Sequence, residues 1–305
     1  MRRNHLKLSK LVASVIVLNS IHLFANSTVI AQNRDVIKTV LSQSENDQRA
    51  IYLRTLLTNI LDATVKDYGS YTIQNSEVTM SRNRGLQAIQ EGQDINVYIA
   101  PADVDWEDKT LPLRIPIYKG LLNYRILLTN DRSMGLFANV NSIEDLKFFE
   151  LGLNSQWTTT KIMSGLGFKS TGGTEYDNLF KMLNAYRFDY IPRGMNEIFV
   201  EFPGLNNEME NLRIENTLAL YIPLPVYFYT SKQHPKIASR LNDGFKRIIE
   251  DGSFEKLFNE FFHKDIQRAN LQQRKILLLG NPLLSPQTPF DISEYWFYPI
   301  EKAVK

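Results

Sequence analysis

The chain has 305 residues, 43% hydrophobic and 22% charged, with a formal net charge of +2 and no cysteine. That balance excludes a disordered chain, a disulfide scaffold, a thiolate zinc site and a cysteine nucleophile. A charge so near zero gives no electrostatic case for nucleic acid, and the length admits one large domain or two ordinary ones.

Residues 1–10 carry Arg2, Arg3, Lys7 and Lys10 and no acid. An apolar stretch from Leu11 to Phe24 follows, then the small-residue pattern Val29-Ile30-Ala31. This is the layout of a secretory signal peptide over residues 1–31. The apolar run is too short and too interrupted for a spanning helix. Cleavage after Ala31 removes four basic residues, so the mature chain from Gln32 carries a formal charge of −2. No cysteine follows the apolar run to take a lipid anchor. The expectation is an unanchored periplasmic protein of a Gram-negative cell, with no membrane span after cleavage.

In chain order, a strand is expected over 36–41, with the polar loop Ser42 to Asp47 behind it. Apolar residues at 53, 56, 57, 60, 61 and 65 predict a helix over 48–68 with Asp47 as a plausible cap. A strand over 71–80, a short helix over 83–91 stopped by Gly92, and a buried strand over 94–100 follow. Pro101 to Glu107 is expected as a loop at that strand's C-terminal end. Two extended runs cover 111–117 and 123–129. Asn141 or Ser142 opens a helix with a capping-box pattern. Strands are expected over 149–153 and 188–191. Helices are expected over 156–166, 174–185 and 193–201, the last ended by Pro203-Gly204. The chain is extended over 212–231. Amphipathic helices over 235–250 and 253–262 precede an apolar run, Ile276 to Leu279, and a Pro-rich aromatic end.

Alternating strands and helices predict a mixed α/β architecture with mainly parallel pairing. The extended runs 123–130 and 218–231 bracket an α/β block of about 90 residues, a size typical of a domain. That pattern predicts two lobes: residues 32–126 with 226–305, including the C-terminal extension, and residues 127–225. Two crossing strands would serve as a hinge, a design that closes around a ligand.

Three pieces then carry a resemblance: Asn141 to Leu153 (NSIEDLKFFELGL), Leu179 to Asp189 (LFKMLNAYRFD) and Ile248 to Phe258 (IIEDGSFEKLF). In order and spacing they are similar to the type II periplasmic solute-binding proteins, of the family 3 or amino-acid-type group. The resemblance runs from about Val36 to about Phe262. It implies a periplasmic-binding-protein type II fold, two α/β lobes joined by two crossing hinge strands. It also implies capture of a small polar or anionic solute for an inner-membrane ABC transporter. The family's carboxylate-clamping arginine is not matched: the corresponding loop holds Trp106. Nor is its amine-binding aspartate, whose position falls on Gly194 beside Arg193.

Ligands of open α/β sheets bind at the C-terminal ends of strands and at helix N-termini. Four loops meet that description. In the first, Glu45 either faces the cleft or caps the next helix. In the second, Asp103 borders the cleft and Trp106 either stacks on the ligand or packs within its lobe. In the third, Gln156, Trp157 and Thr158 offer a helix start to a carboxylate or phosphate, or merely cap it. In the fourth, Arg193 either clamps an anionic group or pairs with Glu197. Arg193 is the best single candidate, and Arg193→Ala is expected to keep the fold and lose the ligand.

Catalysis is poorly supplied. The mature chain has two histidines, His234 and His263, and no nucleophile or metal motif. No cofactor or metal is expected, nor an enzyme, although a dehydratase-like enzyme of this fold is one alternative. The other alternative is a sensory module docking to a membrane sensor protein. The expected partners are a small-molecule ligand and a permease or sensor, with the chain itself a monomer.

Overall fold

The computed structural model describes residues 34–41, 48–76 and 80–298. The signal-peptide expectation, Glu45 and the Asp47 cap lie outside the described residues. The described chain opens with β1 (Asp35–Thr39), α1 (Gln48–Asp62), α2 (Val65–Tyr68) and β2 (Tyr71–Asn75). The long helix expected over 48–68 is thus broken before Val65. There the Thr64 hydroxyl turns back onto the Leu61 carbonyl at 2.8 Å. Such local side-chain bonding competes with helix continuation.

Next come α3 (Arg82–Glu91), β3 (Val97–Pro101), α4 (Val104–Lys109) and β4 (Leu111–Leu113). Gly92 ends α3 in the left-handed region at φ 69°, the conformation that favours glycine. The expected loop 101–107 is therefore a helix start. Asp103 caps α4 by accepting the Asp105 N–H at 2.9 Å.

The middle of the chain forms β5 (Tyr124–Asn130), α5 (Ile143–Leu146), β6 (Leu151–Gly152), α6 (Thr158–Gly165), β7 (Ser170–Thr171), α7 (Tyr176–Asn184), β8 (Tyr190–Gly194) and α8 (Met195–Glu208). The capping box at α5 is Ser142 with Asp145. Two boundaries differ from expectation. Arg193 belongs to β8 rather than to a loop or a helix start. And α8 runs through Pro203 to Glu208. The interior proline forfeits one backbone bond but does not end the helix.

The rest is β9 (Leu212–Tyr221), β10 (Val226–Thr230), α9 (Pro235–Glu250), α10 (Ser253–Ala269) and β11 (Lys275–Leu278). β3, β10 and β4 form one sheet, and β1 pairs with β2 beside it. Asn96 joins the two. Its side chain accepts from Lys38 N and donates to Val36 O, each at 2.8 Å. The larger sheet has the order β11-β9-β5-β8-β6-β7.

Pairing is evenly mixed rather than mainly parallel. Among the described residues four strand pairs are parallel and four antiparallel. The sequence pattern missed this because β5, buried on every residue, reads like any parallel core strand. The extension expected with the first lobe adds its one strand, β11, to the larger sheet against β9.

The chain passes between the two sheets through two short passages, residues 114–123 and 222–225, and a third time through α9 and α10 on its way to β11. The two short passages touch. Asn123 accepts the Ile222 N–H on its carbonyl and the Leu224 N–H on its side chain, both at 2.7 Å. The largest hydrophobic core is continuous across them, from Leu57, Phe245 and Phe258 through Leu122 and Ile126 to Phe180 and Phe199. Among the described residues no helix is long and apolar enough to cross a membrane.

Candidate functional site

A cavity of about 390 Å³ opens where elements of the two sheets meet. This lies within the ~300–1,000 Å³ of typical small-molecule sites. One wall is β3, from Tyr98 to Pro101, flanked by Arg49 of α1 and Arg82 of α3. The opposite wall is Gln156 to Thr159 at the start of α6, with Tyr176, Arg193 and Glu197. Leu122, Arg125 and Leu224, in or next to the passages between the sheets, close the floor.

The β3 wall is fixed by aromatic packing. Trp106 stacks on Tyr98 with ring centroids 5.1 Å apart and lies against Tyr229 at 5.2 Å. Gly85 lets α3 approach: a Cβ there would sit 2.6 Å from the Tyr98 ring. That approach brings the Arg82 guanidinium 5.1 Å above the Trp106 ring, a cation–π contact. Arg82 also bonds the Pro101 carbonyl at 3.2 Å and Asp103 at 3.3 Å. Its remaining terminal nitrogen, Nη1, is buried without a partner.

The other wall is electrostatic. Arg193 grips Glu201 through two bonds, Nε–Oε2 at 2.8 Å and Nη2–Oε1 at 2.6 Å. Its guanidinium lies 4.6 Å from the Trp157 ring and 3.4 Å from Glu197. Arg49 reaches the same Glu201 at 3.0 Å. Arg125 sits on β5 directly across from Gly194. It meets Glu197 at 3.4 Å, and its Nε is buried and unpartnered.

The titration behaviour separates these cations. Burial alone would lower the Arg193 pKa, but Glu197 and Glu201 outweigh it, and the pKa is raised. For Arg125, burial wins over Glu197 and lowers the pKa. Burial wins over Asp103 at Arg82 as well. Arg193 is thus a well-compensated ion pair, whereas Arg82 and Arg125 are under-compensated cations at the cavity.

At α6, no side chain caps the first turn, whose Trp157, Thr158 and Thr159 face the cavity. The Asn154 side chain instead holds the turn before it, accepting Gln156 N–H at 2.9 Å and donating to Thr174 O at 2.7 Å. Uncapped N–H groups at a helix start favour an anion.

Of the residues singled out in sequence, Gln156, Trp157, Thr158 and Arg193 come together at the cavity. Asp103 and Trp106 do not line it. Trp106 is 2% exposed and belongs to the packed aromatic cluster, enclosed by Tyr98, Tyr229 and the Arg82 guanidinium. Asp103 is 6% exposed and serves as helix cap and Arg82 partner. Sequence reasoning missed Arg49, Arg82, Tyr98, Arg125 and Tyr176. Arg125 did carry a signal: it is the one charged residue in the apolar run Tyr124 to Thr129, where an unpaired charge is rarely buried. Among the described residues no group of three or more acidic or histidine side chains is placed to hold a metal ion.

No protein-family model matches the sequence, and no curated protein matches it. Solved structures do match in fold. An ancestral arginine-binding protein bound to arginine superposes with a TM-score of 0.52 at 15% identity, covering 75% of this chain and 99% of that one. A Salmonella typhimurium periplasmic binding protein of high arginine specificity gives 0.51 at 13% identity, over 75% and 99%. A histidine kinase sensor domain similar to periplasmic binding proteins gives 0.51 at 13% identity, over 75% and 96%.

Proposed function

The chain has the fold of the type II periplasmic solute-binding proteins, and we propose that it works as one. It captures a small polar or anionic solute in the cavity between its two sheets and delivers it to an inner-membrane transporter. The observation that carries this reading is the cavity itself. It is lined from both sheets, and among the described residues four arginines face it with one carboxylate, Glu197. The two short passages between the sheets form the hinge of a two-lobe protein, split at about residues 126 and 225. Solute would bind by drawing the walls at β3 and α6 together. Export through residues 1–31 places the protein in the periplasm.

The side chains support binding rather than chemistry. Arginines orient and neutralise anions, and among the described residues no histidine lines the cavity to pass a proton at neutral pH. The test is a thermal-shift screen of amino acids, small organic acids and short peptides, followed by calorimetry. A ligand that raises the melting temperature and compacts the protein in small-angle scattering supports the reading. No shift with any of them counts against it.

A second reading is a sensory module, favoured by the fold match to a histidine kinase sensor domain. The neighbouring genes discriminate: a permease with its ATPase indicates transport, a sensor kinase signalling.

A further inference from the structure

Beyond α10 the chain does not stay on one sheet. It crosses to the larger sheet, where Arg274 pins it. Arg274 Nε donates to the Ala269 carbonyl at the end of α10 at 2.7 Å, and Nη1 donates to the Glu215 carbonyl of β9 at 2.6 Å. β11 then runs beside β9 as far as Tyr221, whose carbonyl accepts the Leu279 N–H at 2.8 Å.

From there the chain returns to the smaller sheet. Asn281 donates from Nδ2 to the Pro223 carbonyl, in the second short passage, at 2.7 Å. Leu283 packs on the cluster that holds Leu218 and Leu220, and its neighbour Leu284 packs on the cluster that holds Trp106 and Tyr227. Two adjacent side chains therefore sit against different sheets. The Leu283 carbonyl also takes the Val104 N–H, at the start of α4, at 3.0 Å. The end of the segment then seats on the first short passage. Phe297 N–H donates to the Lys119 carbonyl at 2.7 Å, and Lys119 Nζ donates to the Glu294 carbonyl at 3.0 Å. Trp296 covers Gly120, where a Cβ would lie 2.8 Å from the indole ring.

One segment thus holds both short passages and both sheets. Hinge motion is absorbed by a few residues, and here those residues are the ones the segment grips. Its two attachments to the larger sheet are also far apart: Glu215 lies roughly 20 Å along β9 from the end of the strand, at about 3.3 Å per residue. Opening the cleft pulls Leu283 and Leu284 towards different sheets, so it must uncover one of them or break the Val104 bond. Resting on the two-lobe hinge of the reading above, we propose that the C-terminal segment is a strap across that hinge that limits how far the cleft opens.

The chain has no cysteine. Cysteines introduced at Gln90 of α3 and Lys161 of α6, both exposed, therefore take spin labels without background, and pulsed electron paramagnetic resonance reads the distance between the cavity walls in solute-free protein. Val104→Pro removes the N–H that Leu283 accepts. It suits its place, because proline is favoured at the first helical position and Asp103 before it is already extended, at φ −161° and ψ 131°. The parent is expected to give one narrow distribution. Val104→Pro is expected to lengthen the mean by more than about 2 Å, the scale of a domain rearrangement. Val104→Ala keeps the N–H and is expected to match the parent. Trp296→Ala frees the far end of the segment and is expected to broaden the distribution too. Melting followed by circular dichroism establishes that each variant is folded, and if Val104→Pro is not, Trp296→Ala decides alone. Folded variants with the parent's distribution overturn the strap, and so does a parent already as broad as they are. Val104→Ala lengthening as much as Val104→Pro overturns the part given to the Leu283 bond. These distances need no ligand, so an empty solute screen on a protein whose variants do open would overturn the binding reading and leave the strap standing.

Discussion

Arg193 and Glu201 form a two-pronged ion pair, with their side chains 6% and 8% exposed. The pair links the end of β8 to the middle of α8, and it also positions the Trp157 face of the cavity through the guanidinium stacked on that ring. Removing one partner strands a buried charge, which costs ~3–5 kcal/mol, whereas replacing both by apolar groups is often neutral. Arg193→Ala is therefore expected to lose stability as well as any ligand contact. Urea unfolding checks this. The Arg193→Met, Glu201→Leu double variant is expected to recover most of what Arg193→Ala loses. A single variant as stable as the parent would show that the pair contributes nothing.

Asn123 holds the two short passages between the sheets to each other. Its side chain is 2% exposed and its Oδ1 is the acceptor for the Leu224 N–H at 2.7 Å. Asn123→Ala leaves that buried N–H without a partner, at a cost of about 1–3 kcal/mol. Asn123→Asp keeps the acceptor but buries a charge, and is expected to be at least as damaging at neutral pH. Faster amide exchange at Leu224 and Ile222 in the alanine variant is the local signature. Unchanged exchange there would mean that the passages are held together by packing alone.

The sequence shows most of the elements because each has a local cause: the Ser142 and Asp145 box at α5, Gly92 at the end of α3, the partial apolar–polar alternation in β1. It also points to the start of α6 and to Arg193, since both follow from strand-end logic. It does not show that Trp106 is enclosed, because enclosure depends on Tyr98 and Tyr229, which come from β3 and from β10, more than a hundred residues later. It shows nothing of Arg82 or Arg49, which reach the cavity only because α1 and α3 pack beside β3. Long-range placement of long side chains leaves no periodic trace in the chain.

The C-terminal segment spans both sheets. β11 lies parallel to β9, and Leu277 and Leu279 enter the core that contains Leu218 and Leu220. Beyond it, Leu283 O accepts the Val104 N–H at 3.0 Å, and Phe297 packs on Phe258 with ring centroids 5.9 Å apart. Removing residues 271–305 uncovers one edge of β9 and part of that core. The shortened chain is expected to melt at lower temperature and to self-associate, since an open apolar edge strand pairs readily. Calorimetric melting and size-exclusion chromatography test this. A monomer with the parent's melting temperature would show that the segment only decorates the surface.

Glu197 sets the response to acid on the α8 side of the cavity. Burial by itself would raise its pKa, but Arg193, Arg125 and the Gly194 N–H outweigh burial, and the pKa is lowered from the ordinary 4.5. Between the lowered folded value and 4.5 the unfolded chain binds more protons than the folded one. Stability from this group is thus fully present above the ordinary value and is lost as pH falls through the folded value. Stability measured by urea unfolding is expected to fall from about pH 5 downward, in line with the ordinary carboxylate range. Glu197→Gln is less stable at neutral pH, because Arg125 and Arg193 lose a countercharge, and its acid-side slope is shallower because one coupled proton is gone. The two curves therefore converge as the pH drops. Parallel curves, displaced by the same amount at every pH, would show that Glu197 titrates alike in the folded and unfolded chain.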